Sequence, residues 1–313
     1  METGTAAMTV GLLLGGLRTA RELGALAARA EALGFTSLWA GDHVAFPSPI
    51  LDPLQVLAAF AAHTQRVRLG TCVYLLPLRP PAVVAKMVAS LDFVTGGRVI
   101  FGVGVGGEFP AEFQACGVPV GERGPRTDEA IVALRRLWQG GRATHHGRRF
   151  DIGPVEIAPA PVQGANLPIW IGGRSEAALR RAARHGDGYV GYMLDVDGFG
   201  VRMARIRELA ASRGRDPGAL TPALMAFALV ADDRREGLAR AAGMLGAMYG
   251  RAMEEPARRY CIVGTPDECR DRVRAYAAAG VEHLVLTPLA FGDACGDQIE
   301  KLAEALGLVA AQV

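Results

Sequence analysis

Short apolar segments alternate with longer amphipathic segments along almost the whole chain, and this alternation constrains the fold more than any other feature. The apolar segments cover residues 8–16, 35–43, 67–76, 98–107, 168–173, 188–194, 223–230 and 281–288. Each is nearly continuous in apolar residues, as expected of strands that are buried on both faces. Segments with helical spacing separate most of them, at 18–33, 52–64, 79–97, 122–139, 175–186, 197–213, 233–249 and 265–280, and a last helix is predicted at 297–309. Alternating strands and helices predict a parallel sheet.

Eight such strands favour a (β/α)8 TIM barrel of the α/β class, with an open doubly wound sheet as the structural alternative. The length of 313 residues fits one barrel domain over residues 1–313. Residues 140–167 interrupt the rhythm, because they are rich in Gly and Pro and show no helical period. We interpret them as an insertion between strands four and five, with room for a short hairpin.

Composition and charge exclude several classes of function. The formal net charge is +2, and no basic cluster is interleaved with aromatic residues, which disfavours nucleic acid and membrane surfaces as partners. The sequence contains no run of about 18 apolar residues, so we expect no membrane span. The five cysteines form no CxxC pair and the histidines lack metal spacing, so we expect neither disulfides nor a metal site. We expect a cytoplasmic protein.

Unusual residues recur where the predicted strands end. Barrel active sites lie at the carboxyl ends of the strands, so these residues would meet at one mouth. They are Asp42 and His43 after strand two; Cys72, Val73 and Tyr74 at strand three; Gly104, Gly106, Gly107 and Glu108 at strand four; and Gly172, Gly173, Arg174 and Ser175 after strand five.

Three of these side chains are candidates for proton chemistry. His43 is suited to general acid–base work because imidazole titrates near neutral pH, and the alternative is a structural histidine. Asp42 either orients that ring or caps the following loop. Glu108 either serves as an acid near a cofactor or is a solvated loop residue.

Two glycine motifs compete as an anion site. Gly102, Gly104 and Gly107 match G-x-G-x-x-G, but no helix opens on the last glycine, so a dinucleotide site is disfavoured. We expect these glycines to let a flat ring lie close to the backbone. The second motif is better placed, because Ser175 can cap a helix whose free N–H groups attract an anion, and Arg174 adds charge.

Taken in order, these motifs resemble the bacterial luciferase-like superfamily, and within it the branch that uses the deazaflavin F420. The resemblance runs from about residue 8 to 290 and is carried by GFTSLWAGDHVAFP, TQRVRLGTCVYLLPLRPPAVVAKMVASLDFVTGGRVIFGVGVGG, GERGPRTDEAIVALRRLW and PIWIGGRSEAALRRAARHGDGYVGYM. It implies a TIM-like barrel with insertions that binds reduced FMN or F420 at its mouth.

The resemblance also implies roles for residues. His43 matches the family histidine beside the reactive ring, and Glu108 matches its acidic partner. Cys72–Val73 falls where the family has a non-prolyl cis peptide that backs the ring, and Gly172 to Ser175 match the phosphate region. Several deazaflavin dehydrogenases have Trp four residues after the histidine, whereas this chain has Pro47, so no particular alcohol or sugar-phosphate substrate is implied.

Three functions follow from the resemblance. The first is F420-dependent hydride transfer to or from a small organic substrate, for which Arg79, Arg123, Arg126 and Arg174 are candidate contacts to the anionic tail. The second is a two-component monooxygenase that uses FMNH2 and O2 and needs a flavin reductase. The third is a non-catalytic flavin-binding relative. Homodimers are common in the family.

Overall fold

The computed structural model describes residues 8–292 and 294–308. The strands follow the chain as β1 (Thr9–Leu13), β2 (Ser37–Ala40), β3 (Arg68–Thr71), β4 (Tyr74–Leu75), β5 (Val99–Gly104), β6 (Arg142–His146), β7 (Asp151–Glu156), β8 (Ile169–Gly172), β9 (Gly188–Tyr192), β10 (Thr221–Val230), β11 (Ile262–Gly264) and β12 (His283–Pro288). The helices are α1 (Ala20–Ala32), α2 (Pro53–Ala61), α3 (Pro81–Val94), α4 (Pro110–Ala115), α5 (Arg123–Leu137), α6 (Glu176–His185), α7 (Val196–Ala211), α8 (Arg234–Tyr249), α9 (Glu254–Tyr260), α10 (Pro266–Ala278) and α11 (Ala294–Leu306).

The predicted (β/α)8 barrel is confirmed. Eight parallel strands pair in the order β1, β2, β3, β5, β8, β9, β10 and β12, and β12 pairs with β1 to close the sheet on itself. Each apolar segment that the sequence assigned to a strand contributes one of these eight. The open doubly wound alternative is wrong, because its edge strands would remain unpaired.

The barrel has two separate apolar regions. Residues that alternate outward along the strands, such as Leu12, Leu38 and Phe101, pack under the helices in the main core. Residues that alternate inward fill the barrel itself, where Trp39 and Trp170 lie with their ring centroids 5.1 Å apart. The interior is therefore a packed core below the mouth.

The helix ends follow the local sequence. Asp52 caps α2 through its side chain and Pro53 is the first helical residue, as predicted. Ser175 caps α6 by accepting a hydrogen bond from the Ala178 N–H. These caps fix where the chain turns from a strand end into the next helix.

Some elements differ from the prediction. Strand three is interrupted after Thr71 and resumes at Tyr74–Leu75, where β4 pairs with β5. The insertion, by contrast, contains a short antiparallel hairpin, β6–β7, as anticipated. Three short elements, α4, α9 and β11, had no counterpart in the prediction, because segments this short carry little periodic signal. Within the described ranges, none of the helices combines the length and hydropathy needed to cross a bilayer.

Candidate active site

His43 lies in the loop after β2 and is paired with a buried carboxylate. Its Nδ1 is 3.1 Å from Oε1 and 3.2 Å from Oε2 of Glu112. The His43 side chain is 26% exposed, whereas that of Glu112 is 1% exposed. The imidazole is therefore hydrogen-bonded on its buried side by Glu112, and it remains accessible at the mouth of the barrel.

Glu112 also fixes the backbone that carries the imidazole. Its Oε1 accepts hydrogen bonds from the N–H of Val44 at 2.7 Å and of Ala45 at 3.2 Å. A buried carboxylate is tolerated when such donors compensate its desolvation. Glu112 is a site residue that the sequence does not predict, because the short helix α4 that carries it is not distinguishable from a polar loop by its pattern. The only available signal was a second acid four residues after Glu108.

Two phenylalanines enclose the imidazole. Phe46 stacks on His43 with a centroid distance of 4.2 Å and an interplanar angle of 15°. Phe109 meets both rings edge-on, at 5.4 Å from His43 and 5.0 Å from Phe46. One wall of the mouth is therefore aromatic, and it restricts the rotation of the imidazole.

Asp42 stabilises the segment after β3, which is neither the imidazole nor the loop that follows Asp42, so its two predicted roles stay predictions. Its carboxylate accepts hydrogen bonds from Arg79 at 2.6 and 2.9 Å and from the Leu75 N–H at 2.8 Å. The hydrogen bonds of Asp42 therefore go to the segment after β3, while the imidazole is held by Glu112. Direct participation of Asp42 in catalysis stays a prediction.

Glu108 lies at the rim with 58% of its side chain exposed. Its nearest cation is Arg174, whose guanidinium nitrogen is 3.9 Å away and whose Cζ lies 5.6 Å from the centroid of the Tyr192 ring. Burial raises the pKa of the Tyr192 phenol, with smaller contributions from Tyr249 and then from the carboxylate of Glu108. An acid role for Glu108 stays a prediction.

The peptide between Cys72 and Val73 is cis, as the family resemblance implied. Val73 then lies between two inward-facing glycines: a Cβ on Gly104 would come within 2.4 Å of Val73 Cγ2, and one on Gly172 within 2.7 Å of Cγ1. The absence of side chains at these glycines makes room for Val73, whereas we expected Gly104 to make room for a cofactor ring and Gly172 to lie in the phosphate region. Burial raises the pKa of the Cys72 thiol to about 12, which keeps it protonated.

Tyr74 lies outside the barrel interior. Its fully buried ring packs 5.2 Å from that of Phe101 in the core beneath the helices, and Arg79 stacks over it at 4.3 Å. Burial raises the pKa of its phenol. This placement gives no support to the predicted contact between Tyr74 and a cofactor.

The remaining predicted glycines occupy left-handed turns at the strand ends. Gly106 (φ 61°), Gly107 (φ 108°) and Gly173 (φ 130°) have positive φ values that favour glycine. The Tyr189 hydroxyl donates to the Gly173 carbonyl at 2.8 Å, which fixes the turn before α6. Arg174 and Ser175 follow this turn and precede the first turn of α6, so the predicted anion site stays a prediction.

The other three predicted arginines bond to the protein itself. Arg79 is paired with Asp42. Arg123 and Arg126 donate to backbone carbonyls, those of Val120 at 2.8 Å and Pro77 at 3.2 Å. Arg174 is therefore the candidate with the most accessible charge at the mouth, with 44% of its side chain exposed.

A buried hydroxyl on β12 lacks a hydrogen-bond partner in the part of the chain that the structure describes. Thr287 alternates inward with His283 and Val285 along β12, and its buried hydroxyl has no hydrogen-bond partner among the described residues. An unsatisfied buried hydroxyl is costly unless a ligand or water bonds it.

Over residues 8–292 and 294–308, no group of three or more His, Cys, Asp and Glu side chains could hold a metal ion.

This combination of a parallel barrel and a histidine-bearing mouth has clear relatives. The family model for luciferase-like monooxygenases matches residues 1–258. The chain belongs to this family. It is 30% identical over 298 residues to the F420-dependent glucose-6-phosphate dehydrogenase of Intrasporangium calvum, which covers 85% of this chain and 88% of that protein.

Solved structures agree on the fold. The monooxygenase RslO1 of Streptomyces bottropensis superposes with a TM-score of 0.81 at 25% identity, over 96% of this chain and 98% of its own. An F420-dependent secondary alcohol dehydrogenase superposes with a TM-score of 0.84 at 22% identity, over 96% and 99%. The relatives thus include both deazaflavin dehydrogenases and monooxygenases.

Proposed function

We propose that this chain is an F420-dependent oxidoreductase that transfers a hydride between the deazaflavin and a small organic substrate. The observation that carries the proposal is the His43–Glu112 pair at the mouth of the barrel. The similarity to the F420-dependent dehydrogenase of Intrasporangium calvum, which spans most of both chains, supports F420 as the cofactor.

His43 would move the proton that accompanies the hydride. An ionised carboxylate only accepts hydrogen bonds, so Glu112 selects the tautomer of His43 that carries its proton on Nδ1. The neutral ring then has Nε2 available as an acceptor. When an alcohol carbon loses a hydride to become a carbonyl, the hydroxyl proton goes to Nε2, and the reverse reaction returns it.

The chain's own residues would hold the cofactor at two places. Arg174, Ser175 and the first turn of α6 would bind its phosphate, because helix N-termini attract anions. Val73, which follows the cis peptide, would lie against its ring system. When bound, F420 supplies the hydride chemistry, while the protein supplies orientation and shields the site from water.

The second candidate function is an FMNH2- and O2-dependent monooxygenase that works with a flavin reductase. It is favoured by the 25% identity and full-length superposition with the monooxygenase RslO1. The two functions predict different cofactors, which can be separated directly. The third candidate function is that of a non-catalytic flavin-binding protein, which a His43→Ala variant distinguishes from the two enzymes.

The test is a titration of the purified protein with F420 and, separately, with FMN, followed by fluorescence quenching. We expect F420 to bind in the micromolar range and FMN far more weakly, and Arg174→Ala to weaken F420 binding about tenfold. Arg142→Ala is the matched control, because Arg142 is an exposed arginine of β6, in the hairpin of the insertion. Preference for FMN would favour the monooxygenase, and binding of neither cofactor would contradict the assigned mouth.

His43→Ala then separates binding from chemistry. We expect it to bind F420 normally and to lose turnover of the substrate found in a panel of alcohols and carbonyl compounds. Normal turnover by this variant would contradict the proton role of His43. Cofactor binding without turnover by the wild type, and without a spectral effect of His43→Ala, would favour the non-catalytic relative.

We further propose that the protein works in the cytoplasm as a homodimer. Support comes from the apolar side chains that α3 exposes, Val83, Phe93 and Val94, with Val162 nearby across Gly97. Light scattering of the purified protein tests the oligomeric state, and a monomer at micromolar concentration would contradict it.

A further inference from the structure

A second concave site lies at the end of the barrel opposite the mouth. The cleft has a volume of about 670 Å³ and is formed by α5, the end of α6 and the segments before β8 and β9. Asn166 and Asp187, which line it, precede β8 and β9. It therefore opens at the amino ends of the strands, whereas His43 lies at the carboxyl ends. Its volume is typical of sites for small molecules.

The lining of the cleft is strongly basic. Four arginines contribute to it, Arg135, Arg136, Arg184 and Arg215, against the single carboxylate of Asp187. Asp187 forms an ion pair with Arg135. Arg136 and Arg184 are exposed, and neither has a carboxylate partner among the residues that the structure describes. Positive charge in the cleft is therefore largely uncompensated.

Two of the guanidinium groups are held in place by backbone carbonyls. Arg135 donates to the carbonyls of Ala165 and Leu167, both at 2.7 Å. Arg215 donates to the carbonyls of Ala183 at 2.9 Å and Gly186 at 2.8 Å, at the end of α6. Preordered cations bind an anion with less loss of side-chain entropy.

His185 adds a polar side chain to the lining of the cleft. It lines the cleft, and burial, followed by the charge of Arg184, lowers its pKa to about 4. The imidazole is therefore neutral near pH 7 and adds a hydrogen-bonding group to the cluster. Val132, which is partly exposed beside the arginines, adds an apolar wall to the cleft.

We propose that this cleft binds the phosphate groups of a small organic molecule. Guanidinium groups match phosphate oxygens in geometry and charge, and the three arginines of the cleft that are not paired with Asp187 suit a ligand with more than one phosphate charge. The apolar wall suits a ligand with an organic body. This site is separate from the cofactor mouth and does not depend on the function proposed there.

The test uses calorimetric titration of the full-length protein with inorganic pyrophosphate and with ADP, and adenosine as the uncharged control. The cleft variant is Arg136→Ala/Arg184→Ala. The matched control is Arg142→Ala/Arg180→Ala, which removes the same charge from exposed positions outside the cleft. Arg174→Ala tests whether the probe binds at the mouth instead.

We expect the cleft variant to bind both phosphates at least about tenfold more weakly, and the control variant to bind them within twofold of the wild type. Adenosine should not bind. Tighter binding of ADP than of pyrophosphate would support a contact between the organic body and the apolar wall. Equal affinities would support recognition of phosphate alone.

Three results would overturn the proposal: no binding of either phosphate by the wild type, loss of binding in Arg174→Ala with the cleft variant unaffected, or equal weakening by both double variants. The substituted side chains are exposed, so unchanged thermal unfolding is expected and excludes misfolding as the cause. F420 titration of the cleft variant keeps the two sites distinguishable, since cofactor binding should be unaffected.

Discussion

Glu112 is a charged side chain with 1% of its surface exposed, and every hydrogen bond it accepts stabilises the loop that carries His43. A Glu112→Gln substitution removes the charge and keeps the shape, so it separates the role of Glu112 in holding the loop backbone from its role in orienting the His43 ring. A glutamine can still accept from Val44 and Ala45 through its oxygen, but its amide competes for the tautomer of His43. Glu112 is thus a positioning residue for the proposed base.

We predict that Glu112→Gln lowers kcat about 10- to 100-fold and changes cofactor affinity little, because it disturbs the proton step alone. The pH profile of kcat should shift with it. Steady-state kinetics over pH 5 to 9, with Glu108→Gln as the comparison, provide the measurement. A larger loss in Glu108→Gln, with Glu112→Gln near wild type, would instead assign the acid role to the exposed glutamate.

The sequence predicted His43 and not its partner for a physical reason. A histidine after a buried strand is visible as a break in an apolar run, so its position at the mouth follows from the barrel. Glu112 is selected by the conformation of α4, which brings it back over a loop 68 residues earlier in the chain. Such a long-range contact cannot be predicted from composition or local spacing. Glu108 was the acid that the sequence indicated, because it directly follows the glycine motif.

At the scale of elements, the interruption of strand three determines how the mouth is packed. Val73 enters the barrel between β5 and β8, and the glycines at 104 and 172 leave space for its two methyl groups. The sequence located the cis peptide through family resemblance, but it could not show that these glycines serve a side chain of the same molecule. That relation depends on the pairing of three strands.

We predict that Gly104→Ala destabilises the protein by about 1–3 kcal/mol, because the new methyl overlaps Val73. In a Val73→Ala background the same substitution should cost much less, giving a coupling energy of similar size. Denaturant unfolding of the four proteins measures it. Additive effects would show that the overlap is relieved elsewhere.

The control for this cycle is Gly243→Ala. Gly243 is an exposed residue of α8 with open space around its Cα, so an alanine there should be neutral or stabilise the helix by up to about 1 kcal/mol.

Long periodic elements were predicted well because burial on both faces leaves a near-continuous apolar run. The eight barrel strands all appear, although β2 covers Ser37–Ala40 where residues 35–43 were predicted. The predicted strands extend too far at their ends, because apolar loop residues continue the apolar run beyond the hydrogen-bonded part of each strand. Short elements such as α9 and β11 depend on tertiary contacts and left no comparable pattern.

Across the whole molecule, the barrel is sealed at its amino end by a buried histidine. His283 bonds through Nδ1 to the Thr9 hydroxyl at 2.6 Å and through Nε2 to the Ser37 hydroxyl at 2.9 Å, so it joins the beginnings of β12, β1 and β2. Burial, with a smaller effect from Arg68, lowers its pKa to about 4.

This arrangement predicts acid sensitivity. The pKa of His283 lies below its unfolded value of about 6.5, so the unfolded chain takes up the proton first as the pH falls. The contribution of His283 is therefore complete above about pH 6.5 and is lost progressively towards pH 4. Between pH 7 and pH 5 it should lower the free energy of unfolding by about 2 kcal/mol.

Urea unfolding at pH 7 and pH 5, for the wild type and His283→Asn, measures this effect. The variant should be less stable at pH 7 but should lose less stability on acidification. His185 remains in both proteins and contributes the same background. An unchanged pH dependence in the variant would place the acid-sensitive group elsewhere.

The tryptophans described above give the chain an optical reporter of its own. The sequence has three, and all are buried: Trp39 and Trp170 inside the barrel, and Trp138 beneath the helices, where its indole donates to the Ala85 carbonyl. Their emission should be blue-shifted and resistant to iodide quenching in the native state. A Trp138→Phe variant would leave only the paired indoles, so that its emission spectrum reads out hydration of the barrel interior without any attached dye.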